Sequence, residues 1–119
     1  MKVLAGAGLF TPPPGPPSPA DGAGSHWIEH LRAADLSVGT YSIRRGGPDE
    51  QMPHTEDEVY VVTAGRAVLT AGEDSTPVGP GSVVYVAAGE THRFTDITED
   101  LAAIVLFAPA EGTRSRTGT

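Results

Sequence analysis

The chain has no cysteine, which excludes disulfide frameworks, thiolate metal sites and cysteine nucleophiles. Any metal must be held by His, Glu, Asp, Gln or Met. Basic residues are scarce: eight Lys and Arg stand against fifteen Asp and Glu, for a formal charge of -7. Their only clusters are Arg44-Arg45 and Arg114/Arg116, too few to follow a phosphate backbone, so nucleic acid is not expected as a partner. No apolar run is long enough to span a membrane. Met1 to Phe10 is mildly apolar, but TPPPGPPSP follows at once without a small-residue cleavage site, and the expectation is a cytoplasmic protein without a membrane partner. Helical periodicity is missing as well. No segment sustains it over three turns, although Trp27 to Ala34 could form one short helix if it is not a strand.

What the chain does contain is strand-like. Its 119 residues suffice for one core and not for two. Residues 1–24 read as an N-terminal arm and a Pro/Gly-rich linker, because prolines cannot donate to a regular ladder. Residues 25–110 read as the folded domain, and the polar residues 111–119 as a flexible tail. Within the domain, short β-branched and aromatic runs are broken by Gly, Pro and Asp: HWIEHLR, LSVGTYSIR, DEVYVVT, RAVLTA, SVVYVAA, HRFTD and LAAIVLFA. Their regular spacing predicts an all-β sandwich or barrel. Ala64-Gly65 is expected to reverse the chain between DEVYVVT and RAVLTA, and Gly79-Pro80-Gly81 to turn it into SVVYVAA. Alternation in DEVYVV puts Glu58, Tyr60 and Val62 on one face, so a Glu58 that points inward brings Tyr60 with it.

Two polar clusters interrupt this pattern, GGPDEQMPHTEDEVYVVTAG from Gly46 and GSVVYVAAGETHRFTD from Gly81. Between them they offer two imidazoles and a carboxylate, His54, Glu58 and His92. That donor set fills three positions of a divalent first-row metal and leaves the rest open, which suits oxygen-activating iron and, less exclusively, other transition metals. His26 and His30, four apart in a segment that reads as a strand, share a face but are not expected to ligate. Glu56, Asp57, Glu73-Asp74 and Glu99-Asp100 are most simply solvated turn charges. Arg44, Arg66 and Arg93 could hold a carboxylate substrate but read first as surface strand residues.

The first cluster runs Gly46, five residues, Met52, one, His54, three, Glu58, six, Gly65; the second runs Gly81, five, Ala87, one, Gly89, two, His92, three, Asp96. This pair of spacings resembles the two motifs of the cupin superfamily, over about residues 25 to 110, and the surrounding strings are similar to small single-domain bacterial cupins. The resemblance implies an antiparallel jelly-roll β-barrel with the site inside its mouth, and ligands at Met52, His54, Glu58 and His92. Met52 stands where the first motif histidine belongs, and Ala87 and Asp96 replace a proline and an asparagine. A thioether is a soft donor, so Met52 is expected to line the pocket more than to ligate, leaving a triad of His54, Glu58 and His92. Gln51 and Glu56, re-aimed by a kink at Pro53, are candidates for the vacant position, with Met52 kept as a further candidate ligand.

The function expected from this is that of a metal-dependent enzyme on a small molecule, first a non-haem Fe(II) dioxygenase or other oxygenase, with Mn, Ni, Co or Zn as other candidate metals. Tyr60, Phe94, Trp27 and Glu56 would line the substrate pocket, and Glu58 and Tyr60 would be catalytic. Redox-neutral chemistry at the same ion is the alternative enzyme class: isomerase, cyclase, decarboxylase or lyase. A non-catalytic small-ligand-binding barrel is the alternative outside catalysis, favoured by the loss of the first motif histidine at Met52. A homodimer is expected, since a small barrel gains by covering its edge strands.

Overall fold

The computed structural model describes Met1, residues 25–49 and residues 54–113. Among them six strands follow one another: β1 (Ser25–Arg32), β2 (Ser37–Ile43), β3 (Asp57–Ala71), β4 (Asp74–Val78), β5 (Val83–Val86) and β6 (His92–Ala108). All pairings are antiparallel, in the order β1-β2-β6-β3-β4, with β5 added to β3. The all-β fold expected from the strand spacing is observed, and it is the antiparallel jelly-roll barrel that the resemblance implies. No helix among the described residues is long and apolar enough to cross a membrane. The linker and the last six residues lie outside the described residues, as do Gln51 and Met52.

The barrel is built on the long pair β3 and β6, which run antiparallel beside each other from Asp57↔Ala108 at one end to Ala71↔His92 at the other. At the Asp57 end β5 and β2 flank the pair, and at the Ala71 end β4 does. Two strands thus pass from one layer into the other. The expected reversal at Ala64-Gly65 does not occur: β3 runs straight through both residues, with register shifts against β6 on either side of Ala64 and again after Arg66. Gly65 has φ +85°, and a side chain there would run into the Asp100 carbonyl. Its glycine serves a bulge where two backbones approach and the strand bends, not a turn. The reversal comes later, at Gly72-Glu73, because Ala71 pairs with Asp74 across a two-residue loop.

That hairpin leads into β4, DSTPV, which did not read as a strand because it is polar and carries Pro77; as a partner of β3 alone it is an edge, where a proline is tolerated. HRFTD and LAAIVLFA, read as two runs, are one strand, β6. Trp27 lies in a strand, not a helix, and the turn at Gly79–Ser82 forms as expected, with Ser82 N donating to the Gly79 carbonyl at 2.9 Å.

Alternation along β3 buries Glu58, Tyr60 and Val62. Tyr60 and Val62 join Ile43, Leu69, Phe94 and Val105 in the barrel core, where each fully buried side chain is worth about 1.5–3 kcal/mol. The core therefore holds the strand that presents Glu58.

Candidate metal centre

The three donors reach one point from different elements. Glu58 comes from the start of β3, His92 is the first residue of β6, and His54 sits in the segment just before β3. The backbone ties the two clusters together, since Gly89 N donates to the His54 carbonyl at 2.7 Å. The donor atoms of His54, Glu58 and His92 all lie within 4.8 Å of one another, with Glu58 and His92 buried and His54 partly exposed.

Hydrogen bonding fixes the tautomer of neutral His92. Its Nδ1 lies 2.9 Å from the Glu90 carbonyl, which can only accept, so the neutral ring carries its proton on Nδ1 and turns a bare Nε2 inward. The Tyr60 hydroxyl, 3.0 Å away, donates to that Nε2. Glu58 Oε1 lies 3.1 Å from the same nitrogen, yet it has no hydrogen-bond partner among the described residues. In neutral His92 these atoms meet lone pair to lone pair, and an orphaned buried carboxylate oxygen is costly. A cation between them removes the conflict. A proton is one such cation: burial acts to lower the His92 pKa, but the carboxylate of Glu58, the Glu90 carbonyl and the charge of Asp49 outweigh it, and the net shift is upward. A metal is the other. Cis donors each about 2.1 Å from one ion stand about 3 Å apart, and the Glu58–His92 approach matches that separation. The donor set therefore fits a divalent metal.

Around the donors the remaining predicted residues separate. Tyr60 is in the cluster through its hydroxyl. Phe94 is buried at 1% exposure, edge-on to Tyr60 at 5.0 Å, and so supports the site from the core without lining an open pocket. Trp27 lies over Gly39 and edge-on to Phe107, whose ring is 4.7 Å from His54, so it stands one ring removed from the donors. Glu56 is neither a solvated turn charge nor part of the donor cluster. It is 1% exposed, and its Oε1 accepts the Gly112 amide at 2.8 Å while Oε2 accepts the Thr55 hydroxyl. Asp57 is likewise engaged, accepting the Ala88 amide at 2.9 Å. His30 pairs with the Thr40 hydroxyl at 2.7 Å, away from the donors. Arg66 is exposed beside Glu99, and Arg44 and Arg93 are exposed too, as their surface reading required.

Two carboxylates were missed in the sequence. Asp49, 3% exposed, accepts the Tyr41 hydroxyl at 2.6 Å and the Phe94 amide at 2.8 Å, anchoring the first cluster to both β2 and β6. Burial, with the charge and hydrogen bond of Asp49, pushes the Tyr41 phenol far up, so it stays a neutral donor. In GGPD this aspartate looks like any turn residue. Glu111, in the polar tail, places Oε2 3.3 Å from His54 Nδ1. Burial raises its carboxyl, against the lowering effect of His54. No local pattern marks it.

A family model described as Cupin domain matches residues 39–109. The chain is similar to an uncharacterized protein of Streptomyces coelicolor, 48% identical over 91 residues, which spans 76% of this chain and 84% of that protein. Among solved structures, KdgF from Halomonas sp. superposes with a TM-score of 0.66 at 20% identity, covering 72% of this chain and 79% of the other. An RmlC-like cupin from Shewanella frigidimarina gives 0.66 at 16% identity, over 75% and 79%. The DMSP lyase DddQ from Ruegeria pomeroyi gives 0.67 at 20% identity, over 71% of this chain but only 47% of the lyase. At such identities these structures speak to the fold alone.

Proposed function

The chain belongs to the cupin family, and from that premise we propose that it is a metal-dependent enzyme of small organic molecules, with His54, Glu58 and His92 as the metal donors. The observation that carries this is the Glu58 Oε1, without a hydrogen-bond partner among the described residues, facing the unprotonated Nε2 of neutral His92 inside the barrel. The finer proposal is a non-haem Fe(II) dioxygenase, supported by the donor chemistry: two imidazoles and one carboxylate leave positions open for substrate and O2. Mn, Ni, Co and Zn suit the same donors less selectively.

A bound ion would supply O2 activation or polarisation of a substrate oxygen. The chain's own residues do the rest. The Glu90 carbonyl holds His92 in the tautomer that presents Nε2. While His92 is neutral, Tyr60 OH donates a hydrogen bond to that nitrogen, and with a cation at Nε2 the hydroxyl would be a donor toward substrate. Phe107 and the half-exposed Trp27 offer an apolar wall on the His54 side. A redox-neutral reading, as isomerase, cyclase, decarboxylase or lyase, is favoured by one observation, the buried Tyr60 phenol within proton-transfer reach of the donors.

Nitric oxide, an O2 surrogate, tests the oxygenase reading without a known substrate, since a site closed to NO is closed to O2. On anaerobically Fe(II)-loaded protein, a high-spin iron–nitrosyl EPR signal is expected from an open site, and an unchanged spectrum would remove the oxygenase. Protein that takes up no divalent metal would leave the non-catalytic ligand-binding barrel. We also propose a homodimer as the working form, with neither nucleic acid nor membrane as partner.

A further inference from the structure

Of the three donors, His54 is the one no strand holds. Glu58 and His92 are locked by the β3–β6 ladder, and His92 also by Glu90. The side chain of His54 is 23% exposed and is touched by Phe107 at 4.7 Å, a contact that limits the tilt of the ring but does not choose which nitrogen faces inward. Glu111 does choose. Its Oε2 lies 3.3 Å from Nδ1, and a carboxylate at Nδ1 favours the tautomer with the proton there. We propose that Glu111 is a positioning residue of the metal centre, which fixes the His54 ring from outside and leaves Nε2 as the nitrogen offered to a cation shared with Glu58 and His92. This rests on the reading of those three residues as metal donors.

Main-chain bonds that do not involve the Glu111 carboxylate hold its segment in place. Glu111 N donates to Ser37 Oγ at 2.9 Å, and Ser37 is fully buried. Arg32 Nη1 donates to the Glu111 carbonyl at 2.8 Å. Gly112 N donates to Glu56 Oε1 at 2.8 Å, and Thr113 closes a turn onto the Ala110 carbonyl through its amide and hydroxyl. Glu56 is the key to the arrangement. It lies two residues after His54, so the loop that carries the donor also grips the segment that orients it. The start of what reads as a free tail is thereby part of the site, and the contact assembles only when residues 110–113 are docked.

Carboxylates that hold the second nitrogen of a metal-ligating histidine typically change metal affinity by about 10–100-fold. The test uses the full chain and two readouts: the His54 tautomer by 15N NMR of metal-free protein, and Zn(II) affinity by chelator competition. Wild type is expected to show the Nδ1–H tautomer. Glu111→Ala should lose it and bind Zn(II) about 10–100-fold more weakly, Glu111→Gln should fall between the two because it keeps an acceptor, and exposed Glu73→Ala should match wild type. Unchanged tautomer and affinity in Glu111→Ala would overturn the proposal. Wild-type protein that binds no Zn(II) would instead overturn the metal reading, and the tautomer would still decide whether Glu111 orients His54.

Discussion

Glu58 and His92 form a pair that needs a positive charge between them, and proton and metal compete for the place. Because the folded His92 pKa is raised, protonation stabilises the metal-free protein. That contribution is complete below the unfolded histidine value of about 6.5 and is lost as pH rises through the folded pKa. Thermal melts in chelator across about pH 5 to 9 should therefore show a melting temperature that declines over this window. Metal affinity should rise over the same window, since the ion must displace the proton. Glu58→Gln removes the charge that both cations require, so metal affinity should fall by more than about a hundredfold and the metal-free melt should lose most of its slope above pH 6.5. Tyr60→Phe keeps the edge contact with Phe94 and deletes only the hydroxyl. It should bind Zn(II) no more weakly than wild type, because the hydroxyl donates to the nitrogen the ion would take and is not itself a ligand. A loss as large as that of Glu58→Gln would make Tyr60 a ligand instead.

β3 shows how an element places the site. Its donor half and its second half lie in different layers, and the bend at Gly65 joins them. Gly65→Ala combines positive φ with a clash against Asp100, and should cost about 2–4 kcal/mol in denaturant unfolding. A cost under about 0.5 kcal/mol would mean that the bend does not depend on glycine. This element also marks how far the sequence could be read. The two-residue alternation that buries Glu58, Tyr60 and Val62 is visible in DEVYVV, and the spacing of His54, Glu58 and His92 is visible in the two clusters. Gly65 was ambiguous because a reverse turn and a bulge both call for positive φ, and only the partner strand distinguishes them. β4 was hidden by its polar, proline-bearing edge character, and Asp49, Glu56 and Glu111 by pairing with groups remote in sequence.

Seen as a whole, the barrel has one outer face poor in charge. Cross-strand neighbours share a face, so Ile28, Thr40, Ile104, Val61 and Val83 form one row across five strands, and Val38, Leu106, Val59 and Tyr85 a second beside it. Ile28, Val83 and Tyr85 are exposed, and neither row contains an ionisable group other than the Tyr85 phenol in a chain of charge -7. Two copies could meet there without opposing their acidic surfaces, which supports the proposed dimer. Light scattering should give twice the 12.3 kDa chain mass for wild type, and the single-chain mass for Val61→Lys/Val83→Lys. A wild-type monomer would remove the dimer and leave the metal site as it is. That site is the central claim, and metal content after anaerobic reconstitution with Fe(II) tests it most directly, on wild type beside His54→Ala and His92→Ala. The account predicts one iron per wild-type chain and none retained in either variant. Iron kept by both variants, or refused by folded wild-type protein, would contradict it.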